Sequence, residues 1–223
     1  MGKEVTVEGR GSKVWTIKLH RPARKNAVNG STAVLLHEAF LEFDRDSEAC
    51  VAVLFGEGGV FCAGADLTEM SNPLKNDMGE IGPMGISRLQ LNKPVIAAIE
   101  GYCVAGGLEL ALWCDLRVAH VNAVFGVLCR RWGVPLIDGG TVRLPRAIGQ
   151  ARALDMILTG REVGAAEALH IGLVTKLADN VLQEAQALAQ QVASFPQVCM
   201  RNDPSLGVGP VGARGGGRFA QRV

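Results

Sequence analysis

Two short glycine-bearing segments and one carboxylate are the parts of this 223-residue chain best suited to chemistry. Phe61-Cys62-Ala63-Gly64-Ala65-Asp66-Leu67 follows the apolar run at 51–55, and Gly101-Tyr102-Cys103-Val104-Ala105-Gly106-Gly107 follows the apolar run at 95–99. Small residues where a strand gives way to a helix leave main-chain N–H groups unpaired and accessible, which suits an anion or a developing oxyanion. Two such turns side by side can aim two donors at one carbonyl oxygen. Close helix-on-strand packing explains the same small residues equally well. Glu109 sharpens the choice. It stands among Leu108, Leu110, Ala111, Leu112 and Trp113, where a carboxylate is expensive unless it is paired or used. Burial raises its pKa toward the range of a general acid/base, and the nearby helix N-terminus pulls the other way. A salt bridge to Arg117 is the plainer role for it.

The elements that must position these groups follow from the apolar pattern. Residues 5–8 and 14–19 read as two strands of a hairpin around Gly9 and Gly11. After a basic loop, His20-Arg21-Pro22-Ala23-Arg24-Lys25-Asn26-Ala27, Ser31 is the expected N-cap of a helix over 32–45. Leu35, Leu36, Ala39, Phe40 and Phe43 recur there at helical spacing. Residues 51–55 and 94–99 read as strands buried on both faces, and 115–120 as a further strand. Gly106 opens a helix through Trp113, and helices are expected over 139–148, 150–158, 164–170 and 180–194. Residues 71–85 carry enough turn signals for a long loop or lid. Strands alternate with helices through the first 120 residues and helices dominate afterwards, so the fold class is α/β in one unit. The segment 204–223 holds six Gly, two Pro, three Arg and no acid, and reads as a flexible tail. Its Gly207-Val208-Gly209-Pro210-Val211-Gly212 matches a dinucleotide fingerprint only in letters, because no buried strand precedes it.

Composition narrows the classes of function. Lys+Arg 23 against Asp+Glu 22 leaves a formal charge of +1, without the basic excess that nucleic-acid or membrane-surface binding rests on. No apolar stretch approaches the ~18 residues of a membrane span. No targeting segment is visible, so a cytoplasmic location is expected. The start Met1-Gly2…Thr6 fits a myristoylation pattern only formally, and Asn29-Gly30-Ser31 is a sequon with no signal peptide to bring it to the machinery. The six cysteines lack framework or CxxC spacing and are expected to be reduced. The four histidines are scattered, so no metal site is expected. Glycine is high at 28 residues, which points back to bare main chain approaching something.

Four motifs in order carry a resemblance. They are Phe61-Cys62-Ala63-Gly64-Ala65-Asp66-Leu67, Lys93-Pro94-Val95-Ile96-Ala97-Ala98-Ile99-Glu100-Gly101, Gly106-Gly107-Leu108-Glu109-Leu110-Ala111, and Cys114-Asp115-Leu116-Arg117. Together they resemble the crotonase (enoyl-CoA hydratase/isomerase) superfamily, with agreement from His20-Arg21-Pro22 to about Asp203. The resemblance implies a crotonase-like superhelix of repeated ββα units with a helical C-terminal part, here shortened. Residues 1–203 would form the acyl-CoA-binding catalytic domain, followed by the tail. It implies a thioester carbonyl held by the N–H groups of Ala65 and Gly106. CoA would run past Arg24, Lys25 and Ala27, with Ala63, Gly64, Asp66 and Leu67 also lining the substrate. CoA is then part of the substrate, and no cofactor is expected. The assembly implied is a homotrimer or a dimer of trimers, impaired by the atypical C-terminus.

Glu109 matches the first of the two glutamates with which family hydratases work. The second usually follows Phe-Gly by three positions, and in Phe125-Gly126-Val127-Leu128-Cys129 that place holds Cys129. A thiol is a poor stand-in for a carboxylic acid that protonates carbon, so a structural cysteine is expected. Asp138, just before a Gly-opened helix, resembles an acidic catalytic residue of the dienoyl-CoA isomerase branch and also suits a helix N-cap. The leading expectation is hydration of a 2-enoyl-CoA by Glu109 and Asp138 as catalytic residues. Double-bond isomerisation by the same pair is the alternative, and a homologue that binds acyl-CoA without turnover is the second.

Overall fold

The computed structural model describes residues 4–69, 71, 72 and 81–207, for residues 203–207 the main chain only. Val5–Glu8 (β1) and Val14–Leu19 (β2) form the expected hairpin, with Val5 opposite Leu19 and Glu8 opposite Thr16. Val51–Gly56 (β3), Val95–Ile99 (β4), Leu116–Ala119 (β6) and Lys176–Leu177 (β9) extend it into a six-stranded sheet of order β1-β2-β3-β4-β6-β9. Every pairing after the hairpin is parallel. Five of the six residues of β3 and all five of β4 are buried, as the unbroken apolar runs require of strands covered on both faces.

A second sheet is built from pieces too short to show a period of two. Tyr102–Val104 (β5), Val124–Gly126 (β7) and Glu162–Gly164 (β8) have three residues each and lie in the order β5-β7-β8. Single parallel bridges continue the layer: Cys62 pairs with Cys103, and Val28 with Ala65. The chain thus repeats one movement. It runs along the large sheet in β2, β3, β4 and β6, then crosses to the small layer at Val28, at residues 62–65, in β5 and in β7. These are the repeated strand pairs of the expected superhelix.

Helix Gly30–Arg45 (α1) packs Leu36, Ala39, Phe40 and Phe43 into the main core. Its N-cap is Asn29, not Ser31. The Asn29 Oδ1 accepts from the Thr32 N–H at 2.9 Å and from the Thr32 hydroxyl at 2.7 Å, whereas the Ser31 hydroxyl turns to Glu4 and Asn29. The short helix Gly106–Trp113 (α2) follows β5. Gly140–Ile148 (α3), Gln150–Thr159 (α4), Ala165–His170 (α5) and Val181–Ser194 (α6) fall where the sequence pattern puts helices. Helix α6 lays Val181, Ala185, Ala189 and Ala193, spaced four apart, against Val51, Val53, Ile96, Ala98 and Val118 on the outer face of the large sheet. A final helix, Gln197–Gly207 (α7), has no counterpart in the sequence pattern and carries regular structure past Asp203 into the first residues of the expected tail. Residues 208–223, and with them most of the glycine-rich tail, lie outside the described residues, as do residues 73–80 of the expected lid. Among the described residues no helix is long and apolar enough to cross a membrane.

Candidate active site

The two glycine turns do meet. Ala65 forms a parallel bridge with Val28, so that the Val28 N–H donates to Gly64 O (2.8 Å) and the Asp66 N–H to Val28 O (2.9 Å). The Ala65 N–H lies on the other side of that bridge and has no acceptor among the described residues. Gly64 stands at φ +105°, and a β-carbon there would come 3.0 Å from the Gly106 nitrogen. That conformation and that approach together require glycine. Gly106 opens α2 behind Ala105, a non-glycine residue at φ 51° and ψ −126° with no side-chain cap. The N–H of Gly106 likewise finds no acceptor among the described residues. Non-glycine residues at such angles carry on the order of 1–3 kcal/mol of strain, held by surrounding structure. Here the Ala105 N–H is fixed to Gly126 O at 2.9 Å.

One turn further along α2, Glu109 is 2% exposed and lines a cavity of about 650 Å³ together with Ala63, Ala65, Gly106, Cys129 and Asp138. Its Oε1 accepts two main-chain hydrogen bonds, from Asp138 N–H at 2.9 Å and Gly140 N–H at 2.7 Å. No donor among the described residues reaches Oε2. Glu109 therefore caps α3, whose own N-cap, Gly139 at φ 91°, has no side chain to do so. The fit is close: a β-carbon at Gly140 would lie 2.8 Å from Glu109 Cγ. Burial, and then the charge of Asp138, push the Glu109 carboxyl up to about 7, against the pull of the two N–H groups and of Arg143. The salt bridge to Arg117 is not formed. Arg117 instead binds the carbonyls of Leu173, Ala111 and Cys114 at 2.7, 3.3 and 2.8 Å.

Asp138 is 4% exposed and does not cap α3 with its side chain. Its Oδ1 accepts from Met84 N–H at 3.0 Å and from the Ser87 hydroxyl. Arg143 closes the same loop, donating to Asp138 O at 2.8 Å and to Ser87 O at 2.7 Å. Burial raises the Asp138 pKa, opposed by the Ser87 and Met84 donors and by Arg88 and Arg143. Ser87 and Arg143 carried no signal in the sequence, because the contacts that bring Ser87 into the site, with Asp138 and Arg143, each span more than fifty residues.

The other expected substrate residues divide. Ala63, Ala65, Leu67 and Lys25 line the cavity. Lys25 is exposed, with its Nζ 5.6 Å from the centre of the Tyr102 ring. Arg24 is exposed on the same loop but is not part of the cavity wall, and Ala27 is buried, its carbonyl held by Arg21. Asp66 turns away from the cavity. Its Oδ2 pairs with Arg21 Nη1 at 3.0 Å, and Thr68 donates to its Oδ1. These partners outweigh burial and hold its carboxyl below the ordinary range. The residue that shapes the basic loop is Asn26, whose type and position alone give no sign of this role. Buried, it donates to Glu57 O (2.9 Å) and Val60 O (2.6 Å) and accepts from Arg21 N–H (2.8 Å). Lys25 and Asn26 both have positive φ, so the loop bends sharply and leaves Arg24 and Lys25 outside. The rest of the cavity wall is largely apolar, with Met84, Leu128, Val134 and Ile137, and Trp132, 74% exposed, also on the wall. Among the described residues no group of His, Cys, Asp and Glu is placed to hold a metal ion.

A superhelix of strand pairs that brings the Ala65 and Gly106 N–H groups beside a buried carboxylate defines a class of proteins, and comparison with known proteins agrees with it. Residues 9–202 match the family model described as enoyl-CoA hydratase/isomerase, and the chain belongs to that family. It is 36% identical over 196 residues to enoyl-CoA hydratase EchA19 of Mycobacterium tuberculosis, covering 85% of this chain and 72% of that protein. It is 40% identical over 197 residues to a probable enoyl-CoA hydratase of Rhizobium meliloti, covering 85% and 75%. Among solved structures, enoyl-CoA hydratase EchA1 from Mycobacterium marinum superposes with a TM-score of 0.87 at 35% identity, over 96% of this chain and 84% of that one. An enoyl-CoA hydratase from Mycobacterium tuberculosis H37Rv gives 0.84 at 37% identity, over 94% and 85%.

Proposed function

We propose that this protein adds water across the double bond of a 2-enoyl-CoA thioester, with Glu109 as the base. The observation that carries the proposal is the placement of the Glu109 carboxylate, held among the described residues by Oε1 alone, on one cavity wall with the two N–H groups that have no acceptor among those residues. The thioester oxygen sits between the N–H groups of Ala65 and Gly106. Glu109 takes a proton from water as its oxygen bonds to the β-carbon, and the resulting enolate is stabilised by the two donors; removing one such donor elsewhere costs about 2.7–4 kcal/mol. The proton then passes from Glu109 to the α-carbon. A carboxyl titrating at about 7 exchanges protons in both directions at neutral pH. Asp138, expected from sequence as a second catalytic carboxylate, has Oδ1 engaged with Met84 and Ser87. In this proposal it positions the loop rather than moving a proton.

The apolar wall takes the acyl chain, and a cavity of about 650 Å³ is within the range that holds a ligand of this size. In this reading Lys25 on the cavity wall and the exposed Arg24 beside it meet the CoA phosphates, with Ala63 and Leu67 supplying apolar contact. The names of the relatives favour hydration over double-bond isomerisation. The deciding experiment is hydration of crotonyl-CoA by the protein and by Glu109→Gln. Activity that survives the substitution refutes the assignment, and no turnover alongside tight binding of butyryl-CoA supports a binding protein instead.

A further inference from the structure

The five buried thiols are of two kinds. Cys50, Cys62, Cys103 and Cys114 each donate S–H to a main-chain carbonyl: Glu48 O at 3.5 Å, Gly64 O at 3.9 Å, Gly107 O at 3.5 Å and Leu110 O at 3.4 Å. These are inert packing cysteines. Cys129 has no such acceptor among the described residues, and it lies on the wall of the cavity that Glu109, Ala65 and Gly106 line. Burial and the charge of Glu109 push its thiol up, against Arg130 and the main-chain N–H groups of residues 129 and 130. At rest it is therefore a protonated thiol and needs a base before it attacks anything. The cavity supplies one. Glu109 is 2% exposed, its Oε2 has no donor among the described residues, and its charge acts on Cys129.

We propose that Cys129 is a nucleophile that adds to the β-carbon of a 2-enoyl thioester bound in this cavity, forming a reversible thioether with the acyl-CoA. This rests on reading the cavity as an enoyl-thioester site. In the addition, the thiol proton moves to Glu109 and the sulfur lone pair forms the S–C bond at the β-carbon. The π pair shifts through the α-carbon onto the thioester oxygen, between the N–H groups of Ala65 and Gly106. Glu109 then returns the proton to the α-carbon. Nothing is oxidised and no group leaves, and the reverse elimination regenerates thiol and enoyl thioester. Sulfur is bulkier than the oxygen of water, so the acyl groups taken most readily are those with an unsubstituted β-carbon. Cys129 thereby makes the site self-trapping toward the most electrophilic members of its own substrate class.

The test is intact mass measurement of the full chain with propenoyl-CoA, with crotonyl-CoA hydration assayed on the same preparations. The expected result is one added acyl-CoA per chain, mapped by peptide digestion to Cys129. It is absent in Cys129→Ser, retained in Cys199→Ser, and slowed about tenfold or more both by Glu109→Gln and by excess propanoyl-CoA. Label on Cys199 instead, or labelling of Cys129 that neither the base variant nor the saturated thioester slows, overturns the proposal as ordinary alkylation. No adduct while crotonyl-CoA is hydrated overturns the thiol addition and leaves the hydratase reading standing. Protectable labelling of Cys129 without hydration does the reverse.

Discussion

Helices α2 and α3 both begin at a glycine and both lack a capping side chain of their own; Gly106 at the start of α2 lines the cavity, and the start of α3 holds the Glu109 carboxylate that lines it too. They differ in what their first N–H groups meet. At α2 the Gly106 N–H, beside Ala65, has no acceptor among the described residues. At α3 the Gly140 N–H is engaged by Glu109, which α2 itself carries. Unpaired donors at a helix start are a liability in a buried setting. In the proposed reaction one start is completed by substrate and the other by the base. Burial and glycine are thus common to both helix starts, and what separates them is the partner of each N–H.

Replacing Glu109 by Gln keeps the cap on α3 and removes the base, so it separates the two roles most sharply. The expected loss in kcat for crotonyl-CoA hydration is about 1,000-fold, within the span attributed to general acid–base groups. In the unsubstituted protein kcat/KM should rise with pH through about 7 as Glu109 ionises, and that limb should vanish in the variant. Stability should move in the opposite sense. A carboxyl whose folded pKa lies above its unfolded value of 4.5 binds more protons folded than unfolded, so its contribution falls as pH rises from 4.5 to 7. Glu109→Gln should therefore melt higher than the parent at pH 8, by on the order of 3 kcal/mol at most, with the gain shrinking at pH 5. Thermal scans at the two pH values check this.

Gly64→Ala addresses the open start. It places a methyl group 3.0 Å from the Gly106 nitrogen, and kcat should fall about 100-fold, as for loss of one oxyanion donor. Gly140→Ala attacks the occupied start by pushing on Glu109 Cγ. A base displaced by a fraction of an ångström should lower kcat by about tenfold or more, with the pH limb shifted rather than lost. Asp138→Asn should do least. The amide oxygen can still accept from Met84 and Ser87, so kcat should fall less than about tenfold and stability by about 1 kcal/mol. A loss as large as that of Glu109→Gln would make Asp138 a proton-transfer group and collapse the contrast between the two helix starts.

Five of the six strands of the large sheet and the helices α1, α2 and α6 were legible because their apolar residues recur at a clear period or in an unbroken run, whereas the two-residue β9 was not. The small sheet was not, since three-residue strands such as β5, β7 and β8 hold too few positions for a period to show. Glu109 and the two glycine turns stood out by composition and by resemblance. What surrounds them did not: the N–H groups that hold Glu109 lie 29 and 31 residues further along the chain. The Asn29 cap was missed because Ser31 is an equally good capping residue two positions on, and only the main-chain geometry separates them. Asp66 looked like part of the substrate turn by position, while its long-range partner Arg21 decides where it points.

The clasp between Glu109 and the start of α3 also sets an order of assembly. A ribosome adding ~5–20 residues per second finishes Glu109 some seconds before it reaches Gly140. Over that interval both glycine turns and strands β1 to β4 have already been synthesised, yet the carboxylate lacks the two N–H groups that fix its direction. The scaffold can thus form before the reactive group is aligned, and competence arrives only when the later helical part docks.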